Sequence, residues 1–515
     1  MNNQDYDVIV VGAGIGGLAV GNVLVKNGMK VLILEKNHAP GGGVSTYYRK
    51  GYPIDISHSI CAINEGACLR NMLEYIGVYQ KLEFLKLDKT FIFLTDNYNE
   101  SIFCYADLDR YAHELEHYFP NEISNIKKFF NIIKEIWNEV LRSYYNPPFT
   151  LFLLYPFLFP RLFRYKNYTF EQLLSKFRMS SRLKEVISAG WPYLGMEKEY
   201  VSAIYMVSML SAYQQDGTYF IKGGLGRLVN ALTANFRNLG GEILLDTEVK
   251  KILVNSKKSA YAVMDRQNKV YKAHRIVSNA DSKRTFLELL DKNYLPEKFL
   301  DKITKMTVTR SAIQIHIIAE AEISNEFMSS GAIIMPCQIN LEEKIQAKLK
   351  SSVQTHNKSA LFLSIRTLDD FIDGSPKNNF IFNVLWYPAN YHLWKDFLNN
   401  FKEDEYNKVK EELTGIIIGE LKKYWEIRRI HFTEVMTPLS FERWLGATEG
   451  AIYDLAMIPS QSLLDRLKHI TPIRNLYLVG TKTFPGNGIA GGLSSAFILG
   501  DIILNKKLTK GKIAL

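Results

Sequence analysis

The sequence predicts an α/β protein with a mainly parallel sheet assembled from distant parts of the chain, a mixed-sheet lobe, and a helical insertion. Three observations predict it. A short β-branched run at Tyr6–Val11 leads directly into closely spaced glycines and then an apolar helical pattern. A second glycine-rich turn lies near the C-terminus, between another apolar run and another apolar helical pattern. Between them, residues 290–470 alternate apolar runs such as Ser311–Ala319 and Phe380–Trp386 with charged helical stretches such as Glu403–Lys423.

Tyr6–Val11 has the continuous apolar character of a strand buried on both faces. The next six residues, Gly12-Ala13-Gly14-Ile15-Gly16-Gly17, give GxGxxG spacing at Gly12, Gly14 and Gly17. Ile15, Leu18, Ala19 and Val23 continue at helical spacing, and Gly28 is placed to end the helix. A second strand over Lys30–Leu34 ends at Glu35. In this order the pieces form a dinucleotide-binding βαβ unit. Gly12 permits the tight turn, Gly14 lets backbone approach a pyrophosphate, and Gly17 lets helix and strand pack closely. The helix N-terminus offers free N–H groups to phosphate. Glu35 falls where a carboxylate takes ribose hydroxyls.

Pro40-Gly41-Gly42-Gly43, followed by Ser45 and Thr46, is a second glycine cluster just beyond the ribose acid. It resembles the cluster that glutathione-reductase-like FAD enzymes carry there. Gly43 stands where an arginine is usual, so the phosphate contact of that arginine must come from elsewhere. The expected fold is a glutathione-reductase-like FAD-binding Rossmann domain with a mixed-sheet substrate domain and a helical insertion.

Several later segments carry one resemblance. They are Gly51-Tyr52-Pro53-Ile54-Asp55, Tyr219-Phe220-Ile221-Lys222-Gly223-Gly224-Leu225-Gly226 and Val277-Ser278-Asn279-Ala280-Asp281. Glu442-Arg443-Trp444 with Gly450-Ala451-Ile452-Tyr453 adds a fourth, and Asp454 stands there in place of the usual glycine. The fifth is Asn475–Gly480 with Pro485-Gly486-Asn487-Gly488-Ile489-Ala490-Gly491-Gly492. Together they resemble the carotenoid desaturase, carotenoid isomerase and retinol saturase group of FAD-dependent oxidoreductases. The spacing Gly41–Tyr52 resembles the isomerase and saturase branch more than the bacterial desaturases. The resemblance covers both ends and several middle landmarks but not residues 300–435. It implies non-covalent FAD, held by Gly12, Gly14, Gly16, Gly17, Glu35, Lys36, Gly42, Gly43, Val249, Asn279, Gly480, Gly488 and Ile489. It also implies a long apolar polyene or isoprenoid substrate that is desaturated, saturated or isomerised. Two other readings stay open at this point: an amine-oxidase-like flavoenzyme, and a non-catalytic prenyl-lipid carrier of the same fold.

The domain layout follows from these landmarks. Residues 1–80, 220–290 and 470–515 form a discontinuous FAD-binding domain, with strands over Ile243–Leu245 and Glu248–Val254. Residues 85–219 form a helical insertion, and 291–469 a substrate-binding domain.

Composition excludes several classes. Hydrophobic residues make up 47% and charged residues 23%, a globular balance that argues against disorder. The 63 basic residues outnumber the 53 acidic ones but are scattered, with no basic stripe interleaved with aromatics, so nucleic acid is not an expected partner. Four cysteines, Cys61, Cys68, Cys104 and Cys337, with no CxxC pair, argue for a reducing compartment. A strand starting at Tyr6 leaves no room for a leader, and no apolar run reaches the ~20 residues of a spanning helix. A cytoplasmic protein is expected. Peripheral membrane contact is expected through Phe149–Pro160 and the cations Arg161, Arg164 and Lys166, a segment (149–166) suited to an interface.

His113-Glu114-Leu115-Glu116-His117 matches HExxH, but Pro120 ends the helix three residues later and no third ligand follows at the spacing of such enzymes. A solvated helix face is expected and no metal. No Ser-His-Asp or Cys-His set stands out, as expected where a cofactor carries the chemistry. No catalytic residue is assigned. Asp55 and His58, and more weakly Glu442 and Arg443, are candidates for polar tuning.

Overall fold

The computed structural model describes residues 5–95, 100–145, 154–337, 340–350 and 359–508. Its first sheet has seven strands. Glu242–Leu244, Val31–Leu34, Tyr6–Val11, Val270–Ser278 and Leu476–Leu478 lie side by side, all parallel, with Val10 opposite both Ile33 and Val277. The near end of Val270–Ser278 also pairs antiparallel with Ala260–Asp265, which pairs antiparallel with Val249–Val254. One long strand thus serves both the parallel sheet and a three-stranded meander.

Strand alternation sorts the apolar side chains onto two faces. Val8, Val10, Ile33 and Val277 pack against helices Ile15–Lys26, Gly226–Asn238 and Gly488–Leu504. Ile9, Val11, Leu32, Leu34 and Ile276 face the other way, onto the meander and Phe286. The first and last helices are neighbours, so the two ends of the chain close on one core.

The second sheet also has seven strands, in the order Glu426–Met436, Ser311–Glu322, Asn379–Ala389, Ser359–Thr367, Ser330–Cys337, Lys89–Leu94 and Ser101–Tyr105. All neighbours are antiparallel except Ser330–Cys337 with Lys89–Leu94. One face packs on helices Tyr391–Asn400 and Glu403–Leu421 through Trp394, Phe397, Leu413 and Ile417. The other meets a lobe of helices that includes Leu108–Tyr118, Ile123–Tyr145 and Ala203–Gln215.

This layout corrects one expectation. Lys89–Leu94 and Ser101–Tyr105 are not helical but pair as antiparallel strands at the edge of the second sheet. Thr-Phe-Ile-Phe-Leu at 90–94 is a strand sequence, buried throughout because the sheet is covered on both faces. Its partner Ser330–Cys337 lies more than two hundred residues away, and local pattern does not reveal such a pairing.

Candidate functional site

The glycine turn lies at the C-terminal ends of the parallel strands, where open α/β sheets bind ligands. Gly12 has φ +97, and Gly14 precedes the first helix with extended backbone. A Cβ on Gly17 would overlap the Gly12 carbonyl oxygen. One on Gly14 would stand 2.8 Å from the Asn279 amide, and one on Gly16 would stand 2.8 Å from both Asn279 Oδ1 and the Gly480 Cα. Three segments distant in sequence therefore converge, the two glycine turns with bare backbone and Asn279 with its side-chain amide. Gly41 donates its N–H to Ala13 O at 2.8 Å, fixing the second glycine cluster beside the first. A Cβ on Gly43 would meet nothing within 4 Å, so there is open space where a related enzyme's arginine would begin.

Glu35 is buried at the end of the second strand. Its carboxylate accepts N–H bonds from Ala13 (2.8 Å) and Asn37 (2.9 Å). Burial pushes its pKa above the ordinary carboxylate value, against these bonds and the nearby Lys36. The side chain is thus held at the mouth of the cleft.

Gly12, Gly14, Gly16, Glu35, Lys36, Gly42, Gly43, Val249, Asn279, Gly480, Gly488 and Ile489 all line this one cleft. Gly17 lies behind it as a packing residue. Sequence reading missed other lining residues: Thr247, Glu248, Asp281, Arg284, Trp444, Asp454 and Lys482. Lys482 is buried, and burial lowers its pKa despite the neighbouring Asp454 and Asp281. With Lys36 and Arg284 it supplies positive charge to a cleft whose second glycine cluster lacks an arginine. Asp454 has φ +64, which explains why glycine is usual at that position. Its carboxylate accepts a 2.7 Å bond from the Ser282 hydroxyl.

The closing turn is positioned by Arg466, a fully buried cation. Its guanidinium donates to the carbonyls of Leu455 (3.2 Å), Thr481 and Thr483 (3.3 Å) and to Asn487 Oδ1 (2.9 Å). Ser495 in the last helix accepts the Gly480 N–H at 2.8 Å. The turn is thereby tied to both the strand before it and the helix after it. Asn487 precedes that helix, and its Nδ2 and the Trp444 Nε1 are buried donors without a partner among the described residues.

A second cavity opens against this end of the cleft. The two spaces share Gly43, Ser57, Leu445, Ile452, Tyr453, Gly488 and Ile489. The cavity wall is mainly apolar and aromatic, including Trp137, Tyr193, Tyr205, Tyr213, Phe362, Leu385 and Phe441. One wall is a single row across the second sheet: Gln314 lies opposite Leu385, and Leu385 opposite Phe362. The His58 ring meets Phe362 edge-on at 4.7 Å. Among the described residues, neither nitrogen of His58 has a hydrogen-bond partner, nor does Gln314 Oε1.

The remaining candidates separate. His58 lines the cavity, whereas Asp55 is a structural hub. Asp55 accepts bonds from Thr46 Oγ1 (2.8 Å) and the Leu225 N–H (3.0 Å), and its carbonyl accepts from His316 and Asn383. Glu442 turns away to accept from the Tyr391 hydroxyl, and Arg443 contributes only its carbonyl, to Lys36. In the HExxH segment the buried face is Leu108, Tyr111 and Leu115, while the His113 side chain is 88% exposed.

Residues 149–153 of the apolar stretch lie outside the described residues. Beyond them, Phe157 is 81% exposed, and Leu154, Leu158 and Phe163 are also exposed. Among the described residues no helix is long and apolar enough to cross a membrane.

The cleft fits a flavin dinucleotide on its own features: a bare-backbone cradle that side chains would fill, a ribose-competent carboxylate and unpartnered buried donors. Comparison with known proteins agrees. Residues 15–325 match the family described as flavin containing amine oxidoreductase. The chain is 26% identical to the all-trans-retinol 13,14-reductase of Danio rerio, over 98% of this chain and 87% of that one. It is 27% identical to the chloroplastic prolycopene isomerase 1 of an Oncidium hybrid cultivar, over 98% and 85%. In structure it resembles a putrescine oxidase at a TM-score of 0.62 and 14% identity, covering 97% of this chain and 99% of the other, a likeness that concerns the fold. The resemblance read from the motifs and the expected fold class both hold. The chain belongs to the flavin-containing amine oxidoreductase family and is an FAD-dependent oxidoreductase.

Proposed function

We propose that the protein binds FAD non-covalently and acts on a long apolar polyene of the retinoid or carotenoid kind, by saturation, desaturation or cis-trans isomerisation. The observation that supports this reading is the aromatic-walled cavity that shares Gly43, Tyr453, Gly488 and Ile489 with the cleft. Bound flavin supplies two-electron hydride chemistry. The chain supplies the rest. Gly12–Gly17, Gly41–Gly43 and the turn before Gly488 hold the nucleotide with backbone, and Glu35 takes the ribose. Trp137, Tyr213, Phe362 and Leu385 bury the polyene and exclude water, at roughly 25 cal/mol per Å2 of apolar surface. Both curated relatives named above are titled for polyene substrates, which supports the same class. Among the described residues the cavity wall carries no carboxylate to pair with a cationic amine. Burial pushes the Cys61 thiol up to about 12, which disfavours the thiolate that covalent flavin attachment would use.

Membrane docking belongs to the same reading. Phe157, Leu158 and Phe163 beside Arg161, Arg164 and Lys166 suit the boundary of an anionic bilayer, from which such a substrate is drawn.

The deciding test is the purified protein itself. A yellow protein that releases intact FAD on denaturation, and converts retinol or poly-cis-lycopene in bacteria making them, is expected. A colourless protein that takes up no added FAD would instead favour a lipid carrier. Pelleting with anionic liposomes should fall when Phe157 and Phe163 are changed to Ser, and equal pelleting by the folded variant would remove the docking surface.

A further inference from the structure

We infer that the cavity takes a polyene bearing a hydroxyl group, anchored between His58 and Gln314, in preference to a pure hydrocarbon. This rests on the polyene reading above and narrows it. The protein leaves hydrogen-bonding valences unmet inside a mainly apolar space.

Gln314 is fully buried and its amide orientation is fixed. Its Nε2 donates to Ile56 O at 2.9 Å and to Asn383 Oδ1 at 2.8 Å. Asn383 cannot reverse, because its own Nδ2 donates to Asp55 O at 2.8 Å. Both amide hydrogens of Gln314 are therefore used, and Oε1 is the atom left without a partner. His58 follows Ile56 by two residues, so the segment that binds the Gln314 amide also carries the imidazole. Edge-on contact with Phe362 places that ring over the same row of the sheet that carries Gln314.

The His58 ring is neutral. Burial, with the charges of His316 and Arg366, drives its pKa down to about 3. A neutral imidazole offers one N–H donor and one lone pair. Together the two side chains present a donor and two acceptors, all buried. Leaving such a group unpaired carries its desolvation penalty uncompensated. A hydroxyl answers them: it accepts from the imidazole N–H and donates to Gln314 Oε1 or the imidazole lone pair. A hydrocarbon answers none. If water fills the gap in the free protein, a hydrocarbon still loses, because it displaces that water without replacing its bonds.

The test titrates the flavin-loaded protein with two ligands and follows quenching of tryptophan fluorescence. One is all-trans-retinol. The other has the same carbon skeleton with hydrogen in place of the hydroxyl. The alcohol is expected to bind about 10-fold tighter, equivalent to ~1.4 kcal/mol. His58→Phe and Gln314→Leu should each remove most of that preference, with hydrocarbon affinity unchanged or improved. A flavin spectrum like that of the parent certifies each variant as folded. Equal affinity of the parent protein for the two ligands overturns the inference, as does a preference that survives both substitutions. If a variant fails to fold, the comparison within the parent protein decides. Binding of neither ligand by flavin-loaded protein overturns the polyene reading itself and this inference with it.

Discussion

The nucleotide cleft presents mostly backbone to its ligand, whereas the adjoining cavity presents mostly side chains. In the cleft, Gly14, Gly16 and Gly480 are bare because Asn279 and neighbouring main chain already occupy the space a Cβ would need, and Gly12 because its φ is +97. In the cavity, Phe362, Leu385, Tyr213 and Trp137 fill the wall, and their size rather than their backbone sets its shape. The two meet at Gly43, Ser57, Tyr453 and Ile489, so one ligand's reactive end can face the other's. A site made of backbone tolerates little change and serves one cofactor. A site made of side chains can be reshaped for different substrates while the cofactor stays in place.

Three substitutions test that division. The largest effect on flavin binding is expected from Gly17→Val, whose side chain would overlap the Gly12 carbonyl. Flavin affinity should fall on the order of 100-fold, or ~2.7 kcal/mol, read by FAD titration and the flavin-to-protein absorbance ratio. A stoichiometrically yellow variant would contradict the close-packed cradle. Next, Phe362→Ala should cost about 3–5 kcal/mol of stability by opening a buried void, yet leave flavin content near the parent level. Loss of flavin in a folded Phe362→Ala protein would mean that the two sites are not separable.

The smallest effect concerns pH. Burial pushes the Asp55 carboxyl up to about 7, although bonds from Leu225 and Thr46 and the charge of Arg366 pull it down. A carboxyl whose folded pKa lies above its unfolded value stabilises the protein below the unfolded pKa of about 4 and ceases to do so as pH rises through about 7. Asp55→Asn should therefore flatten the decline of the denaturation midpoint over that window, with flavin content unchanged. An identical pH profile would show that Asp55 is already ionised in the folded protein.

The cleft was far more legible in sequence than the cavity. Its residues obey short spacings because one turn and one helix N-terminus impose them, so Gly12, Gly14 and Glu35 could be placed without knowing the rest. Lys482, Asp454 and Trp444 reach the same cleft by tertiary folding and carry no spacing signal. Asp454 left one trace, a non-glycine at a position where the related sequences keep glycine. Lys89–Leu94 falls in a stretch expected to be helical because its parallel partner, Ser330–Cys337, is remote.

By itself, then, the sequence determined the βαβ unit and the glycine-rich closing turn, since local backbone geometry restricts which residues can stand there, and its family resemblance pointed to a flavin. Only the tertiary structure decided that Gln314, Leu385 and Phe362 form one row and that His58 stands against it. The same holds for Arg466, which pins the closing turn through carbonyls from several segments. Those relations depend on strand register and on contacts across hundreds of residues, set by how the faces of two sheets bury their apolar surface rather than by neighbours along the chain.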